Sequence, residues 1–197
     1  MAPRTEEQYE TIRQEKKELI MDTALRLFAE NGYVNTSISN IAKAASISKG
    51  LMYNYFKSKE ELLVTVLNRG IDEIFGNFDL NKDGILEPEE LEFFINDLFE
   101  VLKKERDLWK LYFQVALQPP VFKFFEPKID ELYKSMFSML ASYFEKMGYG
   151  NPQAEMLLFG AMLDGIAIDY VLKPELFPVD LIKQEIIKRY CRKQIKK

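Results

Sequence analysis

Apolar positions along this chain recur at helical spacing almost from end to end. Ile20, Ala24, Leu27 and Phe28 fall at i, i+4, i+7 and i+8, which places them on one face of a helix. Asn31-Gly32 supplies a stop signal for it. Thr36 or Ser37 can cap a second, short helix carrying Ile38, Ile41, Ala42 and Ala45. Ser46-Ile47-Ser48 reads as a tight turn, followed by a third short helix from about Lys49 to Phe56. Met52 and Phe56, four apart, are placed to face inward there. Ser58 can cap a fourth helix, with Glu61 completing a capping box, and this helix carries Leu63, Val66, Leu67, Ile71, Ile74 and Phe75.

Gly, Asn, Asp and Pro interrupt the pattern over residues 76–90. Helices are expected again from about Pro88 to Lys104 and from about Asp107 to Leu117, the latter ended by Pro119-Pro120. Three more are expected over roughly 127–147, 152–172 and 178–196. No period-2 alternation and no internal repeat is visible. The reading is all-α, about nine helices, with a head over residues 1–59 and a body over residues 60–197.

Composition narrows the chemistry. The chain has 197 residues, of which 47% are apolar, which suits a globular fold. It has no histidine and one cysteine, Cys191, so zinc sites, Ser-His-Asp triads and Cys-His pairs are excluded while oxygen-ligand metal sites stay open. No Gly-rich phosphate loop appears either, and an enzyme is not expected. No apolar run reaches the length of a membrane span, and the polar start lacks a signal-peptide core, so a cytoplasmic protein is expected. The net charge of −4 looks unfavourable for a DNA binder, but the head holds nine Lys/Arg against seven Asp/Glu. A mildly basic head on an acidic body can still meet phosphates locally.

The head has a recognisable text. Ala24-Leu-Arg-Leu-Phe28, Asn31-Gly-Tyr33, Thr36-Ser37, Ile41-Ala42 and the stretch Ser48-Lys-Gly-Leu-Met-Tyr-Asn-Tyr-Phe-Lys-Ser-Lys-Glu-Glu-Leu62 resemble the TetR family of transcription regulators. The resemblance covers about residues 16–67 and implies a helix-turn-helix that binds double-stranded DNA. It implies that Ser37 and Ser39 touch the DNA backbone or base edges. It places Lys49, Gly50, Leu51 and Asn54 against bases in the major groove, Tyr53 and Tyr55 on phosphates, and Lys59 on a further phosphate. Leu51 departs from the small polar residue often found there; it can meet a thymine methyl but cannot hydrogen-bond a base. The resemblance further implies a homodimer formed through the last two helices, a palindromic operator and, as the usual mode, repression.

Two other features stand out. Residues 79–90 read Asp-Leu-Asn-Lys-Asp-Gly-Ile-Leu-Glu-Pro-Glu-Glu, which fits the EF-hand calcium loop. Asp79, Asn81, Asp83, the Ile85 carbonyl, Glu87 and Glu90 take positions 1, 3, 5, 7, 9 and 12, and Gly84 takes the sharp turn at position 6. An acidic linker, a structural calcium site, a regulatory one and a calcium-sensing, partner-binding protein are all open readings of this stretch. In the body, Trp109, Phe113, Tyr133, Phe137 and Phe159 are candidates for a pocket that takes a small hydrophobic effector, although most such aromatics are simply core. Asp164 sits in an otherwise apolar run and belongs either to a dimer seam or to a ligand contact.

Overall fold

Thr5 accepts the Gln8 N–H while the Gln8 side chain accepts the Thr5 N–H, and this reciprocal cap starts a 26-residue helix, α1 (Glu6–Asn31). Gly32, at φ +79°, ends it. Ser37 caps α2 (Ile38–Ala44) and Ser48 caps α3 (Lys49–Tyr55), each accepting a backbone N–H three residues on. Ser46, at φ 55°, makes the left-handed turn between them. Then follow α4 (Lys59–Phe75), α5 (Pro88–Lys104), α6 (Arg106–Ala116), α7 (Pro119–Lys146), α8 (Pro152–Leu172) and α9 (Val179–Tyr190). A single 3₁₀ turn, Pro174–Leu176, separates α8 from α9. The computed structural model describes residues 5–192, and those residues contain only helices, turns and loops.

The chain divides into two units. One comprises Met1–Gly70 with Leu111–Phe125, and the other Ile71–Lys110 with Glu126–Lys197. The first division falls at Gly70, about three helical turns beyond the 59/60 boundary expected from the sequence, and this unit also takes in a second segment from α6 and the start of α7. In this head, α2 packs on α1 and α3 on α2. Its core is Ile20, Ala24, Leu25, Phe28, Ile41, Met52, Leu62, Leu63 and Val66, all fully buried. The second unit packs α5 on α9 and centres on Phe94, Phe99, Phe144 and Phe159. Within it the Tyr143 hydroxyl donates to the Tyr190 carbonyl at 2.7 Å.

Two expectations about boundaries are corrected. Pro119-Pro120 starts α7 rather than opening a long break, because a proline in the first helical turn lacks only an N–H that would be unpaired there anyway. The last helix ends at Tyr190, before the 196 expected; residues 193–197 lie outside the described ones.

Candidate DNA-reading head, acidic loop and body cavity

In α3 the inward pair is as the spacing requires: Met52 is 0% and Phe56 2% exposed. With these two fixed in the core, Lys49, Gly50, Leu51, Tyr53 and Asn54 are presented to solvent, and Tyr55 is half-buried. A Cβ built on Gly50 would meet nothing within 4 Å, so no packing inside the protein requires glycine here. Ser39 is exposed on α2, while the Ser37 hydroxyl is engaged in capping that helix.

Lys59, expected on a phosphate, lies in the free chain against the α1–α2 corner. Its ammonium donates to the carbonyls of Tyr33 at 2.8 Å, Thr36 at 2.9 Å and Val34 at 3.4 Å, and lies 4.3 Å from the centre of the Tyr33 ring. An ammonium has three donors, and here all three go to the α1–α2 corner. Gln118 secures the same corner. Its side-chain oxygen accepts the Tyr33 N–H at 2.8 Å and its amide donates to the Phe28 carbonyl at 2.9 Å. Lys59 thus positions the corner that carries α2.

A further cluster was invisible in the sequence. The Arg69 guanidinium on α4 donates to Glu18 at 2.6 Å, Asp22 at 2.7 Å and the Tyr112 hydroxyl at 3.0 Å. Burial works against its charge, but the bonds from Tyr112, Asp22 and Glu18 outweigh that and raise its pKa above the usual arginine value. The neighbouring Gly70 leaves room for the Tyr112 ring, since a Cβ there would lie 2.7 Å from it. Helical spacing puts Glu18 and Asp22 on one face of α1, but only the fold brings Arg69 and Tyr112 to them.

The 79–90 loop is wound around its own side chains. The Gly84 N–H donates to Asp79 Oδ2 at 2.9 Å, Asp83 N–H to Asn81 Oδ1 at 2.9 Å and Ile85 N–H to Asp83 Oδ1 at 2.8 Å. Gly84 takes φ +76°, the conformation that glycine allows at this turn. Leu86 is buried, and Phe78 before the loop stacks edge-on against Phe94 after it at 5.0 Å. Glu90 is only 8% exposed and accepts the Glu87 N–H at 3.1 Å. Asp79 Oδ1 is buried and has no hydrogen-bond partner. As they stand, no three acidic side chains among the described residues converge tightly enough to hold a metal ion.

The body contains a cavity of about 240 Å³. Tyr133, Phe137, Phe159 and Asp164 line it, as expected, and Phe75, Phe78 and Phe94 from the flanks of the acidic loop also line it. Trp109 and Phe113 do not: Trp109 is buried in the core and Phe113 is half-buried on α6. Tyr133 and Phe137 stack at 4.9 Å. Asp164 stands at the rim, exposed on its outer side; loss of water on its cavity side raises its pKa. Burial, and then the charge of Asp164, raises that of Tyr133. Elsewhere, burial pushes the Cys191 thiol up to about 12, far from a reactive thiolate.

On α8 and the segment after it, Leu157, Leu158, Leu172, Leu176 and Leu181 are exposed, and Gly160 and Gly165 have open space where a Cβ would stand. Ala167 on α8 and Ile186 on α9 are buried. Among the described residues no helix is long and apolar enough to cross a membrane.

A capped α2–turn–α3 unit with its reading surface held outward is a helix-turn-helix, and the fold around it is an all-α, TetR-like one. Residues 20–66 match the family described as bacterial regulatory proteins, tetR family. Over 61 residues the chain is 54% identical to the uncharacterized HTH-type transcriptional regulator YuxN of Bacillus subtilis, covering 31% of this chain and 21% of that protein. It is 33% identical over 109 residues to the negative transcriptional regulator IcaR of the biofilm operon icaADBC in Staphylococcus epidermidis, covering 52% of this chain and 55% of that one. The aligned stretches therefore span less than two thirds of these relatives. Among solved structures, the fatty acid degradation regulator FadR from Bacillus halodurans superposes with a TM-score of 0.65 at 22% identity, over 92% of this chain and 97% of that chain. The proteins this chain resembles are transcriptional regulators, not enzymes.

Proposed function

We propose that this protein is a transcriptional repressor. It binds a palindromic operator as a homodimer, reads bases with α3, and releases DNA when a small apolar effector fills the body cavity. The observation that carries this is the partition of α3: five consecutive-turn residues held outward over a core-anchored Met52 and Phe56. The exposed leucines and open glycines of α8 suit a self-complementary seam with a second copy. The test is selection of bound duplexes from a random pool by the full chain. An inverted repeat should emerge, and Lys49→Ala and Asn54→Ala should each cost about 1–3 kcal/mol of binding to it. Enrichment of no sequence would overturn the reading.

A second element of regulation is calcium at residues 79–90, and the buried, unpartnered Asp79 Oδ1 is the observation in its favour. Bound calcium would supply a hard positive charge that takes six to eight oxygen ligands. Asp79, Asn81, Asp83, the Ile85 carbonyl, Glu87 and Glu90 offer oxygens of the right kind in the right order. Glu90 would give up its bond to the Glu87 N–H to join them, which ties the start of α5 to the loop. The loop begins four residues beyond the end of α4 at Phe75, the helix that starts in the head. Calcium titration of chelator-treated protein should show saturable binding that Glu90→Gln abolishes. Operator affinity with calcium and with chelator then separates a regulatory ion from a structural one, and absence of binding at millimolar calcium reduces the loop to an acidic linker.

A further inference from the structure

We propose that the ligand class admitted by the body cavity is a compact lipophilic cation, an organic amine or quaternary ammonium, with Asp164 as its counter-charge. This rests on the reading of that cavity as an effector site. Three observations converge on the charge of the ligand.

Among the described residues that line the cavity, Asp164 is the single carboxylate and none is Lys or Arg. A carboxylate or phosphate carried into this hollow would meet an acid of like charge and, among these residues, no cation to neutralise it. The second observation is the wall itself. Tyr133 and Phe137 stack at 4.9 Å with their planes 26° apart, and Phe75, Phe94 and Phe159 add further ring surface. Aromatic faces are electron-rich and attract a desolvated ammonium, while they offer an anion nothing. The third is the state of Asp164, which pays for partial loss of water on its cavity side without a positive partner in the described residues. A cation at the rim offsets that cost; a neutral hydrocarbon adds to it.

The size restricts the choice. About 240 Å³ is at or below the small end of ligand sites, which run roughly 300–1,000 Å³. A hollow of that size favours a compact guest, such as one aromatic ring with a trimethylammonium group, over a long acyl chain held along its whole length. The charge and size therefore separate this cavity from what the name of the fatty acid degradation regulator FadR would suggest for a shared fold.

The test uses the full chain and three probes of similar body and different charge, followed by ligand-observed NMR titration. They are benzyltrimethylammonium, its uncharged isostere neopentylbenzene, and 3-phenylpropanoate. The cation should bind about tenfold or more tightly than the isostere, with the anion weakest. Asp164→Asn should bring cation and isostere to within about threefold while leaving the isostere unchanged. Because Asp164 is exposed at the rim, the variant should stay folded, with one cooperative melting transition as in the parent. Equal binding of cation and isostere, preference for the anion, or a preference that survives Asp164→Asn would each overturn the charge assignment. Binding of none of the three at millimolar concentration would instead overturn the effector reading of the cavity, because the isostere probes the hollow without its charge.

Discussion

The reading surface of α3 and the cavity of the body are both built on buried aromatic and aliphatic side chains, but they use them in opposite ways. In the head, Met52 and Phe56 fill a core completely, so what faces outward is fixed in direction and the surface can carry a pattern. In the body, Phe75, Phe94 and Phe159 leave a hollow of about 240 Å³ between them, and the pattern faces inward. A surface that must match an invariant duplex is held by full packing and by polar bonds to backbone carbonyls. As the proposed effector site, the hollow has apolar walls and, among the described residues, one charged group at its rim. The comparison predicts where substitutions should hurt folding, where they should hurt recognition, and where they should do neither.

The largest expected effect is at Lys59. If its three bonds to the Tyr33, Val34 and Thr36 carbonyls hold the α1–α2 corner, Lys59→Met should cost about 2–3 kcal/mol of head stability, read from denaturant unfolding. Under conditions where the variant stays folded, the slope of log affinity against log salt should not change. A Lys59 bound to a phosphate would instead lower that slope by about one ion, with little change in unfolding.

Two helical glycines in the head sharpen the contrast between packing and recognition. Gly70 has a Tyr112 ring where its Cβ would stand, so Gly70→Ala should destabilise by about 1–3 kcal/mol through overpacking. Gly50 has open space, so Gly50→Ala should leave stability unchanged or raise it by up to about 1 kcal/mol, as helix propensity predicts. Operator affinity should nevertheless fall for Gly50→Ala if the α3 backbone approaches the bases closely. A substitution that stabilises the free protein and weakens the complex is the signature of a surface shaped by DNA. Loss of stability in Gly50→Ala would place the glycine in the fold instead.

The helix order, the inward pair on α3 and the cap at Ser37, one of two candidates for α2, were legible because each depends on residues within four positions of one another, whereas the cap at Ser48 was read only as part of a turn. The Gly84 turn was legible for the same reason. Lys59 was placed on DNA by family resemblance; its lysine type and its position at a helix start give no hint that three carbonyls more than twenty residues upstream would take its donors. The Arg69 cluster and the Gln118 clasp are of that long-range kind too, with partners 43 to 90 residues away. The cavity was half legible. Tyr133, Phe137, Phe159 and Asp164 were named from an aromatic-rich body, yet Phe75, Phe78 and Phe94 were read only as flanks of an acidic loop.

The smallest expected effect is a pH dependence seated at Asp164. Partial desolvation raises its folded-state pKa above the ordinary carboxylate value, which means that the folded state holds its proton to higher pH than the unfolded chain does. Folding is then slightly less favourable once the pH passes above that raised pKa, and the difference disappears as the pH falls below the unfolded value. Asp164→Asn should flatten this shallow decline in melting temperature on the alkaline side of the carboxylate range. A saturating cationic probe should reverse it, because a bound positive charge favours the ionised acid and lowers its pKa. Reversal by the cation but not by neopentylbenzene would place the charge at the cavity rim. An unaltered profile in Asp164→Asn would mean that the acid is fully hydrated in the folded protein and exerts no pull on a guest.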